Sequence, residues 1–514
     1  MSAPVIPPSR PIRFLHRGQV QEVSGLPATT TVLQWLREVA HCTGTKEGCA
    51  EGDCGACTVV LGERDPATGG WQQRTVNACI QLLPTLDGQA LLTVEDVHGA
   101  RPDALHPCQD ALVQCHGSQC GFCTPGFVMS LWQLYATHPK APPRTEIADA
   151  LAGNLCRCTG YRPILDAGEQ MYDSPRVPFD SAPLLAALTP LADQPDLVYD
   201  GPDPVDPTHR TRFHAPTTLD ALADLRLALP DAQLLAGGTD IGLWVTKQFR
   251  PLGDIVYLGR VAALQHIRPW GDDPAHPQGL EIGAGVSLET AWSTLARHLP
   301  ALRELWLRFA SPPIRHAGTL AGNIANGSPI GDSAPILLAL GASLVLRCGD
   351  RERTLPLDAF YLDYMRNALQ PGEFVQALRI PLPQPARGEH LRAYKVAKRR
   401  DSDISAVCAG LWIRLDGDTV AEARLAWGGM AATARRARQT EAALVGQPWT
   451  DATVARALAA LAQDFQPLTD LRATEQYRHR VAANLLHRFW LETRPDAPLS
   501  AAQTQVWPAP VSEH

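Results

Sequence analysis

Lysine is scarce in this chain, five residues among the 46 basic ones, and the basic residues gather in no long block. Against 53 acidic residues the net charge is −7, so there is no broad cationic face to neutralise a phosphate backbone, and nucleic acid is excluded as an expected partner. Long apolar runs are missing too. The longest, APILLALGASLVL from Ala334 to Leu346, falls short of the roughly 20 residues that cross a bilayer, and no membrane span is expected. The opening stretch MSAPVIPPSRPIRF lacks the continuous apolar core of a secretory signal, which predicts a reducing, cytoplasmic setting without disulfides. Two nucleotide signatures are also absent: there is no Walker A sequence, and no G-x-G-x-x-G follows a strand.

Cysteine, by contrast, is plentiful. Eleven of the 13 cysteines lie before residue 160, and in a reducing compartment such clustering reads as metal ligation. The 514 residues, 45% of them hydrophobic, suffice for several cores, so three or four domains are expected. From Ile12 to about Val97, short strand-like runs (IRFLH, CTVVLG, ALLTVED) accompany one amphipathic segment, TVLQWLREV, in which Val32, Leu36 and Val39 are expected to share a helical face. From Pro102 to about Tyr172 the period turns helical, with Phe127, Leu131, Leu134 and Tyr135 on one face and Ile147, Leu151 and Leu155 on another. The Pro/Asp-rich stretch from Asp173 to His209 is expected to run over the surface as a linker without a core. Beyond it, strand candidates (AQLLAGG, DIVYLG, LEIGAG, ASLVLRC) alternate with helical runs to about Pro383, predicting an α/β domain. CAGLWIRL, ARLAWGG and Ala-rich helices then predict a terminal α+β unit, and the tail after Pro495 is expected to be disordered.

Cys49, Cys54 and Cys57 stand as C-x4-C-x2-C, followed by a fourth cysteine, Cys79. This is the plant-type 2Fe–2S spacing, and it suits a structural zinc knuckle poorly. Gly48, Gly52, Gly55 and Ala56 are expected to give clearance where backbone N–H groups approach the sulfides. The second set is Cys120-x2-Cys123 and Cys156-x-Cys158, a pattern that alone suits zinc or iron–sulfur equally. Thr124-Pro125 and Thr159 with Pro163 place each pair near a helix start, where the dipole favours an anionic tetrathiolate cluster. Cys42, Cys108, Cys115, Cys348 and Cys408 are expected to be small buried hydrophobes. His106 and His116 flank the second set, but four cysteines already saturate it, so structural roles are expected for both.

Two Gly-rich turns remain. Leu234-Leu235-Ala236-Gly237-Gly238-Thr239-Asp240 runs from an apolar strand into a glycine pair whose N–H groups suit a pyrophosphate. The other is RHAGTLAGN, Arg315 to Asn323, followed by NGSPIGD, Asn326 to Asp332. Taken alone, each is equally readable as an ordinary tight turn.

The strings TGTKEGCAEGDCGACTV, HGSQCGFCTPGFVMSL, NLCRCTGYRPI, LLAGGTDIG, GTLAGNIANGSPIGDSAP and KRRDSDISAV together resemble the iron–sulfur/FAD small subunit of bacterial xanthine dehydrogenases, in the molybdenum hydroxylase family. The resemblance covers roughly residues 12 to 490 and implies a multidomain α+β chain. Its parts would be a ferredoxin-like β-grasp 2Fe–2S domain (10–97), an all-α helical-bundle 2Fe–2S domain (98–175), a linker (176–210), an α/β FAD-binding domain of the vanillyl-alcohol-oxidase/PCMH type (211–386), a CO-dehydrogenase-flavoprotein-like C-terminal α+β domain (390–495) and a tail (496–514). By resemblance, Leu234, Leu235, Ala236, Gly237, Gly238, Thr239, Asp240 and Ile241 hold the FAD pyrophosphate, and Phe309, Thr319, Asn323, Asp332, Val375 and Lys395 surround the flavin nucleotide. Thr319 stands where related enzymes often have Ser. Lys398 to Asp403 resembles the charged loop near the isoalloxazine, the plainer reading being a solvated charge run.

Clusters carry one electron at a time and a flavin handles one or two, so this combination implies a converter between a two-electron donor and NAD⁺. The resemblance further implies a molybdopterin-binding large subunit, in a heterotetramer of two small and two large chains, that oxidises hypoxanthine to xanthine and xanthine to urate. The same set of parts would serve a sister hydroxylase of aldehydes, nicotinate or another heterocycle, and a non-catalytic metal-binding scaffold is the distant alternative.

Overall fold

Ile12 and Phe14 in IRFLH turn to one buried face of β1 (Ile12–His16), which pairs antiparallel with β2 (Gln19–Val23). The computed structural model describes residues 7–65, 68–101, 103–192, 194–273 and 277–504. With β3 (Thr58–Arg64), β4 (Trp71–Asn77) and β5 (Ala90–Leu92) these strands form a sheet of order β2-β1-β5-β3-β4, in which only β1 and β5 run parallel. A helix capped by a Thr31/Gln34 capping box, Val32–Gln34, continues as a π-helical turn, Trp35–Val39, giving the β-grasp arrangement. The expected Val32–Leu36–Val39 face does not persist. Val39 is 50% exposed and Trp35 takes the buried place, because the wider turn, closed by Ala40 N–H to Trp35 O, breaks the 3.6-residue phase.

Four helices follow: Pro107–Gln114, Thr124–Thr137, Arg144–Ala150 and Arg162–Gln170. Phe127, Leu131, Leu134, Tyr135, Ile147 and Leu151 are all buried in their core. Leu155 lies past the helix end, in the loop that leads to Cys156.

The stretch read as a linker is only partly one. It contains the helix Ala182–Ala192, whose Leu188 and Leu191 pack with Leu15 and Ala90, and β6 (Leu197–Pro202), which pairs with β7 (Arg210–Ala215). Its few apolar residues build no core of their own; they complete cores begun elsewhere, which local composition does not reveal. With β8 (Gln233–Leu235) and β9 (Ile255–Tyr257) the second sheet has the order β6-β7-β9-β8, and Tyr199, Phe213 and Ile255 share one core with Phe14, Leu33 and Leu83.

All these elements, with residues Ala310–Thr319, form one compact unit; Leu264–Phe309 and the chain from Leu320 form another, so the expected flavin domain is divided between the two. The second unit has an antiparallel sheet of order β10-β11-β16-β12-β13, from β10 (Ile267–Trp270), β11 (Gly279–Gly283), β12 (Ser343–Cys348), β13 (Arg351–Pro356) and β16 (Phe374–Pro381); β14 (Tyr361–Asp363) and β15 (Arg366–Asn367) make a small hairpin. The long apolar run splits at Gly341, whose φ of 75° ends the wholly buried helix Ser333–Leu340 before β12. No described helix is long and apolar enough to cross a membrane. The sheet β17 (Glu389–Val396), β18 (Val407–Asp416), β19 (Thr419–Gly428) and β20 (Arg435–Arg436) is backed by the helices Arg438–Leu444, Asp451–Asp464 and Glu475–Thr493 around Trp427, Trp449, Phe465 and Phe489. Of the expected tail, residues 501–504 form one helical turn, and 505–514 lie outside the described residues.

Candidate cluster and flavin sites

Cys49, Cys54 and Cys57 sit on a tight loop that enters β3, with left-handed backbone at Ala50, Gly52 and Gly55; Cys79 follows β4. The backbone N–H of Cys54 donates to Cys49 Sγ at 3.4 Å, and Asn77 Nδ2 reaches Cys57 Sγ at 3.8 Å. Hydrogen bonds from the Cys54 and Cys79 thiols hold Cys49 well below the ordinary thiol range, and a bond from Cys79 lowers Cys57. The donors Cys54 and Cys79 are pushed up correspondingly. Cys49 thus interacts with both Cys54 and Cys79, and Cys79 with both Cys49 and Cys57, so the four sulfurs meet in one place.

The glycines clear space, though only one of them beside a sulfur. A Cβ on Gly48 would come within 2.9 Å of Cys54 Sγ. One on Gly52 would meet Ile80 and Ile314, and one on Gly55 would lie 2.1 Å from Gly153 O, so these two make room for neighbouring segments instead.

In the second set Cys123 is the N-cap of Thr124–Thr137, with Pro125 in its first turn, while Cys156 and Cys158 precede Arg162–Gln170. Burial and a bond to Cys156 push Cys123 up to about 12, whereas Cys156, raised by burial, is lowered overall by bonds from Thr159, the Cys158 backbone and Cys123. Cys158 is raised by donating to Cys120. Thr159 Oγ1 donates to Cys156 Sγ at 3.3 Å, and Tyr161, at a φ of 70°, accepts from Cys156 N–H through its hydroxyl at 3.1 Å. Cys123 thus interacts with Cys156, and Cys158 with Cys120.

Each iron of a 2Fe–2S cluster takes two thiolates, so sets of four cysteines suit two irons, and the C-x4-C-x2-C spacing of the first set suits zinc poorly. Of the other cysteines, Cys42, Cys108 and Cys408 are buried as expected, but Cys115 and Cys348 are only half-buried, and Cys115 Sγ donates to Gln170 Oε1 at 2.9 Å. His106 caps the helix Pro107–Gln114, accepting from Cys108 N–H at 3.2 Å, and burial lowers it to about 4.

The loop Leu234 to Ile241 leaves β8 and enters the helix Ile241–Thr246, with Gly238 at a φ of 72°. A Cβ on Gly237 would fall 1.9 Å from Ala317 O, so the two Gly-rich turns touch here, and Thr319, within the second, is buried. In the other unit Phe309, Asp332, Val375 and Lys395 are buried. Lys395 Nζ donates to Asp332 Oδ2 at 2.5 Å and to Ser405 Oγ at 3.0 Å, and Ser405 Oγ donates to Asp332 Oδ1 at 2.5 Å. Among the described residues Asn323 Oδ1 and Ser333 Oγ are buried without a hydrogen-bond partner, which fits a polar ligand at this end of the helix Ser333–Leu340. Ser333 and Ser405 stand in this polar group as well, and no local sequence pattern singles them out. The charged loop is structured: Arg399 N–H donates to Asp403 Oδ2 at 2.8 Å and Arg308 Nε to Arg400 O at 3.2 Å.

Four family matches cover the chain in order. Residues 15–82 match the 2Fe-2S iron-sulfur cluster binding domain and 93–169 the 2Fe-2S binding domain. Residues 209–383 match the FAD binding domain in molybdopterin dehydrogenase, and 392–493 the CO dehydrogenase flavoprotein C-terminal domain. The chain is an iron–sulfur/FAD electron-transfer module of the molybdenum hydroxylase family. Among molybdenum hydroxylases, it is 34% identical to the xanthine dehydrogenase of Emericella nidulans over 93% of this chain and 38% of that protein. It is 30% identical to aldehyde oxidase 4 of Cavia porcellus, over 96% of this chain and 40% of that one. The chain thus spans about two fifths of the length of these relatives. A chain of the Hydrogenophaga pseudoflava carbon monoxide dehydrogenase that lacks the Mo-pyranopterin moiety aligns with 29% identity and a TM-score of 0.50, over 54% of this chain and 94% of that one.

Proposed function

We propose that this chain is the electron-transfer subunit of a xanthine dehydrogenase. The observation that carries the reading is the gathering of eight cysteines into two sets of four on loops joined by the bond from Leu155 N–H to Cys54 O at 2.9 Å. Cys49, Cys54, Cys57 and Cys79 hold one cluster, and Cys120, Cys123, Cys156 and Cys158 the other, within domains bounded at 10–97 and 98–175. The flavin and nicotinamide supply the exchange between single electrons and hydride. Leu234 to Ile241 offer backbone N–H groups and the Gly238 bend to a pyrophosphate, and Thr319 adds a hydroxyl beside them. Asn323, Ser333 and the Asp332–Lys395 pair offer polar groups to the nucleotide, while Phe309 and Val375 exclude water.

In this reading a molybdopterin-bearing partner oxidises hypoxanthine and xanthine, and electrons leave to NAD⁺ after crossing both clusters and FAD. The xanthine dehydrogenase relative at 34% identity supports that substrate, and the aldehyde oxidase at 30% is the specific ground for a second reading in which the partner oxidises aldehydes. The chain by itself should reduce an artificial dye with NADH and leave xanthine untouched. Asp332→Ala should lower FAD content and dye reduction together. Co-expressed with its molybdenum partner it should turn over xanthine in preference to aldehydes; the reverse preference would replace the first reading by the second, and xanthine turnover by the chain alone would overturn both.

A further inference from the structure

Three segments meet at Gly55, which lies between the ligands Cys54 and Cys57. Its carbonyl accepts from Thr58 Oγ1 at 2.7 Å and from Asn154 Nδ2 at 3.0 Å. Asn154 stands two residues before the ligand Cys156, and Gly126 three residues after the ligand Cys123. The approach is so close that a Cβ on Gly126 would lie 2.2 Å from Gly55 O, and one on Gly55 would lie 2.1 Å from Gly153 O. Asn154, only 3% exposed, uses its carboxamide in full: Nδ2 donates also to Thr58 Oγ1 at 3.2 Å, and Oδ1 accepts from Ser130 Oγ at 2.6 Å. The side chain therefore ties the first cysteine loop, 99 residues away in sequence, to the helix Thr124–Thr137 and to the loop of Cys156.

We propose that Asn154 is a positioning residue for electron transfer between the two clusters, its carboxamide fixing the separation and orientation of the two ligand loops. The inference rests on assigning both cysteine sets to clusters. The step it serves moves one electron from the reduced cluster to the oxidised one, with no bond made or broken and no proton transferred. Buried amide hydrogen bonds suit such a joint. Each is modest in energy, but without Asn154 the buried Ser130 hydroxyl would lose its acceptor and the Gly55 carbonyl would keep only its bonds from Thr58, a loss that is costly away from water, so the joint keeps one geometry.

The test uses the full chain with its iron, sulfide and flavin bound. In Asn154→Ala, each reduced cluster should keep its own EPR line positions and full iron content, while the spin–spin interaction between the two reduced clusters weakens and electron equilibration between them after rapid reduction slows several-fold. Ser130→Ala, which leaves the amide donors in place but frees their anchor, should show the same change to a smaller degree, and it decides the matter if the Asn154 variant loses iron. Wild-type coupling and rate in an iron-replete Asn154→Ala, or in Ser130→Ala where that variant is the one that decides, would overturn the proposal while leaving the cluster assignment intact. Absence of one of the two signals in the wild-type chain would instead overturn the assignment.

Discussion

Thr159 puts its hydroxyl 3.3 Å from the Cys156 sulfur, and hydrogen bonds to ligand sulfurs are one of the levers that set a cluster's potential. Reduction adds negative charge to the cluster, and a donor stabilises the reduced form more than the oxidised one. Thr159→Ala should therefore move the second cluster's potential to more negative values, by roughly tens of millivolts, and Thr159→Ser should retain it. Redox titration followed by EPR checks this, with the first cluster as the internal control. The two cysteine sets are legible in the sequence because C-x4-C-x2-C, C-x2-C and C-x-C are local patterns. Asn154 and Ser405 are not, since their partners stand 99 and 73 residues away and no local spacing records such a contact.

Among the elements of the terminal α+β part, the helix Glu475–Thr493 and β17 are joined at Glu492. Its carboxylate accepts from Arg392 Nε at 2.8 Å, Arg488 Nε at 2.6 Å and Tyr394 Oη at 3.1 Å. Burial pushes this carboxyl up, but Arg488 and Arg392 more than offset it and leave it below the usual carboxylate range. The folded value is thus depressed below an unfolded one of about 4.3, so the stabilisation is complete above that pH and is lost as the pH falls through the folded value. Glu492→Gln should cost about 1–3 kcal/mol at neutral pH, and the gap from wild type should close on acidification. Denaturant unfolding across the acid range measures both. Strand-like runs such as IRFLH and CAGLWIRL formed where expected, because alternation and β-branched content are local properties. The Val39 face and the linker were misread for opposite reasons: one helical turn left the 3.6-residue period, and Leu188 and Leu191 found their burial against strands far back in the chain.

For the whole molecule, the order of parts was readable from motifs, whereas the division of the flavin segment between two compact units was not, because it depends on contacts between distant segments. In the proposed reading both cysteine sets hold iron on a chain that also carries flavin. Metal, acid-labile sulfide and FAD analysis of the purified chain, combined with EPR of the reduced protein, tests it most directly. Two irons and two sulfides for each of the two cluster domains, one FAD and two distinguishable signals are predicted, with Cys54→Ser removing only the first signal and Cys156→Ser only the second. Zinc with little iron, or the loss of both signals from either substitution, would contradict the account.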